Sequence, residues 1–189
     1  MYHIKQDKRA LHSAEEITQG LYRCIESMPL HTITVSDLHR ETGISRATIY
    51  RLFDTPEDIL IYQIDKRMDW IYRYHEAHND EPPEKVFEAV LTHGLENHLL
   101  MEALVKNGRF DILHTYTERS FRIFDELFSP FPLKMDTTES DYVLSCLAMN
   151  MVATLSTWIR RGRVESAEQL VQYTKQFLHM LQYITEGKN

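Results

Sequence analysis

Glycine, proline and cysteine are scarce in this chain of 189 residues, with six, six and two copies respectively. Few glycines and prolines leave little material for the tight turns that separate strands, and the many Leu, Glu, Arg and Met residues favour helices. Cys24 and Cys146 lie far apart, each within an amphipathic helical pattern, so we expect two buried free thiols and no disulfide framework. The composition predicts an all-α protein.

An excess of positive charge is also absent, because the formal net charge is -7. Even residues 1–60 carry 7 basic and 9 acidic side chains, a net charge of -2. This balance excludes a general polyanion binder, so any contact with DNA would need a local patch. We find neither a signal-peptide core nor an apolar run of the roughly 18 to 20 residues that a membrane span needs. The chain is therefore expected to be globular and cytoplasmic.

Motifs for enzyme chemistry and metal binding are missing as well. The sequence contains no nucleophile motif and no phosphate-binding loop. The closest histidine pairs do not indicate a metal site. His75 and His78 lie at a predicted helix end among acidic residues, and the spacing of five between His93 and His98 does not place both on one helical face. No histidine follows a glutamate by three residues, as a diiron helical bundle requires. No catalytic residue, cofactor or metal is predicted.

One stretch, TVSDLHRETGISRATIYRLF, has the pattern of two short helices around a tight turn. Thr34 can cap the first helix with its hydroxyl, and Gly43 stands where a chain leaves a helix in the left-handed conformation. Ser45 can cap the second helix, on which Ile49 and Phe53 form an apolar stripe. This arrangement predicts a helix-turn-helix motif, in which the second helix enters the major groove of DNA.

The rest of the chain divides into helices on either side of one polar boundary. Ser13 with Glu16 predicts a capping box that opens a helix before the motif. Thr55 can cap a long helix after it, which reaches about Tyr74, and the polar stretch 75–83 follows. Further helices are predicted over residues 85–101 with a continuation to 106, over 110–128, over 139–161, and from Ser166 to near the end.

The motif and its neighbours resemble the TetR/AcrR family of bacterial transcriptional regulators over roughly residues 10–65. The matching residues are Thr34, Val35, Leu38, Gly43, Ile44, Ser45, Thr48, Ile49, Tyr50, Phe53, Glu57 and Leu60. The resemblance implies an all-α homodimer: a three-helix DNA-binding domain (1–60) is joined by a long fourth helix to a helical effector-binding and dimerisation domain (61–189). The family often has a lysine near the start of the fourth helix, where this chain has Pro56, so that phosphate contact lacks support.

Seven residues are predicted to contact DNA: Thr34, Ser36, Arg46, Ala47, Thr48, Tyr50 and Arg51. Arg46 and Arg51 can bond guanine bidentately, whereas Thr34 and Tyr50 are better suited to phosphates. The alternative for the two arginines is a solvated helix face. Lys5, Lys8 and Arg9 precede any clear periodicity and could form an arm in the minor groove, although a frayed terminus is the better interpretation.

Two further sets are predicted in the C-terminal part, and plain core packing is the alternative for the first. The candidates for an effector pocket are Trp70, Tyr74, Leu91, Leu95, Phe110, Phe121, Phe124 and Met149. The candidates for a dimer interface, from surplus apolar surface on the last two helices, are Met151, Leu155, Trp158, Phe177 and Leu181. We expect a ligand-responsive repressor that binds a palindromic operator. The alternatives are a protein of the same fold that acts through a protein partner and, less favoured, a small helical enzyme.

Overall fold

The computed structural model describes residues 1–4, 7–123 and 137–185. Within these residues the chain forms nine α-helices and one 3-10 turn, and the only strand-like pairing is an isolated bridge between Tyr2 and Phe53. The helices are α1 (Lys8–Ser27), α2 (Val35–Thr42), α3 (Arg46–Leu52), α4 (Pro56–Ala77), α5 (Pro83–Glu96), α6 (Leu99–Lys106), α7 (Phe110–Ile123), α8 (Thr137–Arg160) and α9 (Ala167–Thr185). The predicted all-α class is confirmed.

The chain divides into two compact units, Met1–Arg67 and Met68–Asn189. In the first unit, α1, α2 and α3 pack around side chains that are 2% exposed or less. These residues are Ala14, Ile17, Leu21, Leu38, Ile49, Leu52, Phe53, Ile59 and Leu60. Burial of each large aliphatic side chain stabilises the unit by about 1.5 to 3 kcal/mol before entropy is counted.

Helix α1 begins earlier than the sequence pattern predicts. Asp7 is its N-cap, and a side-chain oxygen of Asp7 accepts a hydrogen bond from the backbone N–H of Ala10 at 2.9 Å. Ser13 therefore lies inside the helix, and the predicted capping box at that position is wrong. Lys8 and Arg9 belong to α1, so they form neither an extended arm nor a frayed terminus, while Lys5 lies outside the described residues.

Helix α4 begins as predicted, at a cap formed by Thr55 and Asp58. The hydroxyl of Thr55 accepts from the backbone N–H of Asp58 at 3.3 Å, and the Asp58 carboxylate accepts from the N–H of Thr55 at 2.8 Å. This reciprocal pair satisfies two backbone donors at the start of the helix. Along the chain, α4 runs from the first unit into the second.

In the second unit, the predicted helix over residues 85–101 is interrupted. Helix α5 ends at Glu96, because the side chain of Asn97 donates to the carbonyl of His93 at 2.9 Å and competes with continued helix formation. Helix α9 begins as predicted, since Ser166 and Gln169 exchange backbone and side-chain hydrogen bonds at 2.8 and 3.3 Å. The predicted extension of α7 beyond Ile123 lies outside the described residues.

Helix α8 corrects two expectations. Residues 142–159 contain no charged side chain, and the segment Thr138–Arg160 is long and apolar enough to cross a membrane, contrary to the prediction. Because α8 packs against α7 and buries Leu144, Ala148 and Val152, core packing accounts for part of this apolar composition. Cys24 is buried as expected, whereas Cys146 on α8 is exposed.

Candidate DNA interface

Helix α2 opens with a reciprocal capping box. The backbone N–H of Asp37 donates to the Thr34 hydroxyl at 3.3 Å, and the N–H of Thr34 donates to the Asp37 carboxylate at 2.9 Å. The hydroxyl of Thr34 also donates to this carboxylate, at 2.6 Å. Hydrogen bonds from the Thr34 hydroxyl, then from its backbone and from Arg40, hold the pKa of Asp37 below its ordinary value. The predicted cap is confirmed.

The turn between α2 and α3 is built as predicted around Gly43, whose φ of 72° lies in the left-handed region. The ring of His39, a residue that the sequence analysis did not single out, reaches across this turn. Its Nδ1 lies 2.7 Å from the carbonyl oxygen of Ile44, so the ring N–H donates to that carbonyl. The hydroxyl of Thr42 donates to Leu38 at 2.7 Å, and these contacts fix the angle at which the chain enters α3.

Helix α3 presents a buried face and an exposed face. Ser45 caps it, with its hydroxyl 3.2 Å from the backbone nitrogen of Thr48. Ile49 and Leu52 are at most 2% exposed, and Phe53, just after the helix, is fully buried. The predicted stripe of Ile49 and Phe53 is therefore confirmed, and Leu52 widens it.

The seven residues predicted to contact DNA all lie in this unit, and six of them are exposed. Thr34 and Ser36 lie at the start of α2, and Arg46, Ala47, Tyr50 and Arg51 lie on α3. Thr48 is half-buried, and its hydroxyl lies 3.0 Å from that of Ser45, so its hydrogen-bonding capacity is already partly used.

The exposed polar side chains of α3 and the nearby arginine of α2 differ in whether they form hydrogen bonds or ion pairs within the chain. In the part of the chain that the structure describes, no hydrogen bond or ion pair holds the side chains of Arg46, Tyr50 or Arg51. By contrast, Arg40 is paired with the carboxylate of Asp37. Tyr50 is 58% exposed although it is aromatic. The positive charge that can be offered to a ligand in this motif is therefore on α3.

The acidic residues at the start of α4 are occupied by intramolecular partners. The ring nitrogen of His3 lies 3.0 Å from Asp54, and the amino group of Met1 lies 3.2 Å from Asp54 and 2.7 Å from Asp58. The hydrogen bond from His3 is the main cause that lowers the pKa of Asp54. For Asp58, partial burial opposes the shift, but hydrogen bonds from Met1 and Thr55 outweigh it and lower the pKa.

Of the effector candidates, the structure brings two together in one stack of rings. The rings of Trp70 and Tyr74 on α4 stack with centroids 4.9 Å apart, and His93 of α5 stacks on Trp70 at 3.7 Å. His78 continues the stack on Tyr74 at 4.1 Å. All four rings are half-buried.

The remaining effector candidates differ in their exposure. Leu91 and Phe121 are buried, and Leu95 is half-buried. Phe110 and Met149 are surface residues, 41% and 50% exposed. The eighth candidate, Phe124, lies outside the described residues.

The dimer candidates lie mostly inside the chain itself. Met151, Leu155 and Trp158 are each 5% exposed, and the indole N–H of Trp158 donates to the carbonyl of Glu165 at 2.9 Å. Phe177 is half-buried, and the side chain of Leu181 is outside the described set. Among the residues that the structure describes, no group of three or more His, Cys, Asp or Glu could hold a metal ion.

Comparisons with known proteins find similar structures but no similar sequence. No protein-family model and no curated protein matches the sequence. A TetR transcriptional regulator from Streptococcus agalactiae 2603V matches with a TM-score of 0.63 and 18% identity, over 89% of this chain and 95% of that one. The fatty acid degradation regulator FadR from Bacillus halodurans matches with a TM-score of 0.60 and 16% identity, over 92% of this chain and 96% of that one. The dihydroxyacetone kinase operon activator DhaS matches with a TM-score of 0.58 and 17% identity, over 90% of this chain and 96% of that one. The predicted resemblance is thus confirmed at the level of structure: the chain has the all-α fold of TetR-family transcriptional regulators.

Proposed function

We propose that this chain is a sequence-specific DNA-binding transcriptional regulator. The observation that carries the proposal is helix α3, which is capped, anchored by buried apolar residues, and exposes Arg46, Tyr50 and Arg51, whose side chains have no hydrogen-bond or ion-pair partner among the described residues. The similar structures, which are described as regulators or as an operon activator, support the same class. Their low identity means that the choice of DNA sequence depends on residues of this chain.

Base reading is assigned to α3 and positioning to the groups around it. Arg46 and Arg51 each offer a guanidinium that can bond the N7 and O6 atoms of guanine, and each good pair discriminates by about 1 to 3 kcal/mol. Thr34 and Tyr50 offer hydroxyls to phosphates, which fix the register without reading sequence. Ser36 and Thr48 are secondary base contacts, and the small side chain of Ala47 allows close approach.

A homodimer on a palindromic operator follows from this assignment, because a single α3 reads only a few base pairs. Two copies would read successive major grooves, about 34 Å apart. The interface is proposed on α8 and α9, where Tyr142 and Met149 are 73% and 50% exposed, and Tyr173 and Met180 are 49% and 51% exposed. Each pair is separated by seven residues and so shares one helical face. The buried candidates, such as Trp158, would pack inside the chain beneath this face.

Regulation by a small molecule is proposed for the second unit, with Trp70 and Tyr74 as the first residues to test and Leu91, Leu95 and Phe121 as further candidates. A ligand shifts the equilibrium only if it binds one dimer geometry better than the other. Release from DNA by such a ligand would make the protein a cytoplasmic repressor. A reporter gene downstream of the operator tests whether the protein represses or activates transcription. The test is needed because DhaS is described as an activator.

The test of DNA binding begins with selection of bound duplexes from random and genomic DNA. We expect enrichment of a palindrome, whereas failure to enrich any palindrome would overturn the proposal. A turnover found in a metabolite screen would instead favour the enzyme alternative.

Variants at Arg51 then separate base reading from charge. Arg51→Ala should weaken operator binding by about 1 to 3 kcal/mol. Arg51→Lys keeps the charge but not the bidentate fork, so it should lose nearly as much. The matched control is Arg73→Ala, an exposed arginine of α4 outside the motif. Wild-type affinity in Arg51→Ala, or full recovery in Arg51→Lys, would contradict base reading by this residue.

A further inference from the structure

The first residues of the chain pair with the junction between α3 and α4. We call residues 1–4 the N-terminal strap. The backbone N–H of His3 donates to the carbonyl of Leu52 at 2.8 Å, and the N–H of Asp54 donates to the carbonyl of Met1 at 3.1 Å. These bonds flank an antiparallel bridge between Tyr2 and Phe53. The strap therefore meets the chain directly where the recognition helix ends.

The side chain of Tyr2 extends this contact onto α4. Its hydroxyl donates to the Asp65 carboxylate at 3.0 Å, and its ring lies edge-on to that of Tyr62, with centroids 5.2 Å apart. The ring of Phe53 also contacts Tyr62, at 5.9 Å. Tyr2, Phe53 and Tyr62 thus form one aromatic cluster that links the strap, the end of α3 and helix α4.

Helix α3 needs such support because it is short. A helix of seven residues is marginal on its own, so its direction depends on tertiary contacts. The cap at Ser45 holds the first turn, and Ile49 anchors the middle. The bonds to Leu52 and the bridge to Phe53 hold the far end, which lies next to Arg51.

The strap also gives a partner to an acidic side chain beside this helix end. Helix α4 opens with Pro56, so no lysine is available at that position to approach a phosphate. His3 instead places its ring nitrogen 3.0 Å from Asp54. A partner on this carboxylate lessens its repulsion of a nearby phosphate, although the pair is exposed and salt would screen it.

We infer that the N-terminal strap positions the recognition helix for base reading, with Tyr2 as its main positioning residue. This inference rests on the proposed function. Base reading requires bidentate geometry, whereas nonspecific binding depends mainly on phosphate charge. Loosening the strap therefore lowers the preference for the operator more than it lowers the affinity for unrelated DNA.

The test compares Tyr2→Ala with Tyr2→Phe in the full chain, using the selected operator and a scrambled duplex of equal length at one salt concentration. Tyr2→Ala removes the ring and should weaken operator binding about tenfold while scrambled binding changes less than about twofold. Tyr2→Phe keeps the ring contact with Tyr62 and loses the hydroxyl that bonds Asp65, so it should recover most of the preference. The matched control is Tyr72→Ala, an exposed tyrosine on α4.

Three outcomes would overturn the inference. Wild-type operator affinity in Tyr2→Ala would mean that the strap does not position α3. An equal loss on both duplexes would mean a merely structural role that reduces the folded fraction. If the wild-type chain prefers no duplex, the proposed function fails instead. Hydrogen exchange in the DNA-free chain then tests separately whether the strap stabilises the end of α3. There, unchanged exchange at the amides of Leu52 and Phe53 in Tyr2→Ala would remove the structural basis of the strap.

Discussion

Acidic residues in the first unit illustrate why net charge is a poor guide to this protein. Asp7, Asp37 and Asp58 each accept a hydrogen bond from backbone N–H groups at the start of a helix. Such carboxylates satisfy donors that the helix leaves unpaired and also favour the positive end of its dipole. Much of the negative charge in residues 1–60 therefore has a structural role, and its presence does not argue against DNA binding by α3.

The cap at Thr34 predicts a measurable shift at Asp37. The pKa of Asp37 is lowered in the folded chain, mainly by the Thr34 hydroxyl. A lowered pKa means that its stabilising contribution is present above the unfolded value of about 3.9 and is lost as pH falls through the folded value. In Thr34→Ala the pKa of Asp37 should rise towards its ordinary value, as followed by NMR titration of the side-chain carboxyl.

Thr92→Ala supplies the control for this titration, because the hydroxyl of Thr92 bonds the carbonyl of Glu88 in the second unit. It should leave the titration of Asp37 unchanged. An identical pKa for Asp37 in Thr34→Ala and in the wild-type chain would show that another contact causes the shift.

Between helices, α1 lies close to α2 at Gly20. A Cβ added there would overlap the Cγ2 methyl of Thr42. Thr42 cannot turn away freely, because its hydroxyl donates to Leu38 and accepts from the N–H of Ile44 at 3.2 Å. The absence of a side chain at Gly20 thus allows α2, and the turn after it, to pack on α1.

The substitution Gly20→Ala tests this packing, because two effects of opposite sign compete. Helix propensity alone would stabilise α1 by about 0.5 to 1 kcal/mol, whereas forced overpacking costs about 1 to 3 kcal/mol. We expect a net loss in the free energy of unfolding, measured by urea denaturation. Thr42→Ser removes the methyl and keeps the hydroxyl, so the double variant should be more stable than Gly20→Ala. Strict additivity of the two changes would contradict the clash.

For the whole molecule, the decisive question is whether the face of α8 that exposes Tyr142 and Met149 joins two copies. Met149→Glu places a charge on this face, and an unpaired charge at an apolar interface is strongly destabilising. Dimerisation should weaken at least about tenfold, and operator binding should fall with it, because joint occupation of two half-sites is lost. Sedimentation velocity and operator titration measure the two effects.

Val164→Glu is the matched control for this variant, since Val164 is 79% exposed and lies outside α8 and α9. It should behave as the wild-type chain in both measurements. A dimer that persists in Met149→Glu to the same extent as in the control would place the interface elsewhere.

The sequence by itself determined the features that depend on neighbouring residues. The caps at Thr34 and Ser45, the left-handed turn at Gly43 and the buried stripe at Ile49 and Phe53 were all predicted, because capping and turn formation are governed by hydrogen bonds within a few residues. The same local rules failed where two sites competed. They favoured Ser13 as the start of α1, although Asp7 caps the helix in the folded chain.

Only the tertiary structure decided contacts between residues far apart in the sequence. The strap pairs Tyr2 with Phe53, about fifty positions away, and no periodicity in the first residues indicates that partner. On α8, apolar residues occur on more than one face, so the pattern could not tell which side is covered within the chain. Helix α8 contacts α6, α7 and α9, and Met151 is buried whereas Met149 stays exposed, because a helix turns only part of its surface towards its neighbours.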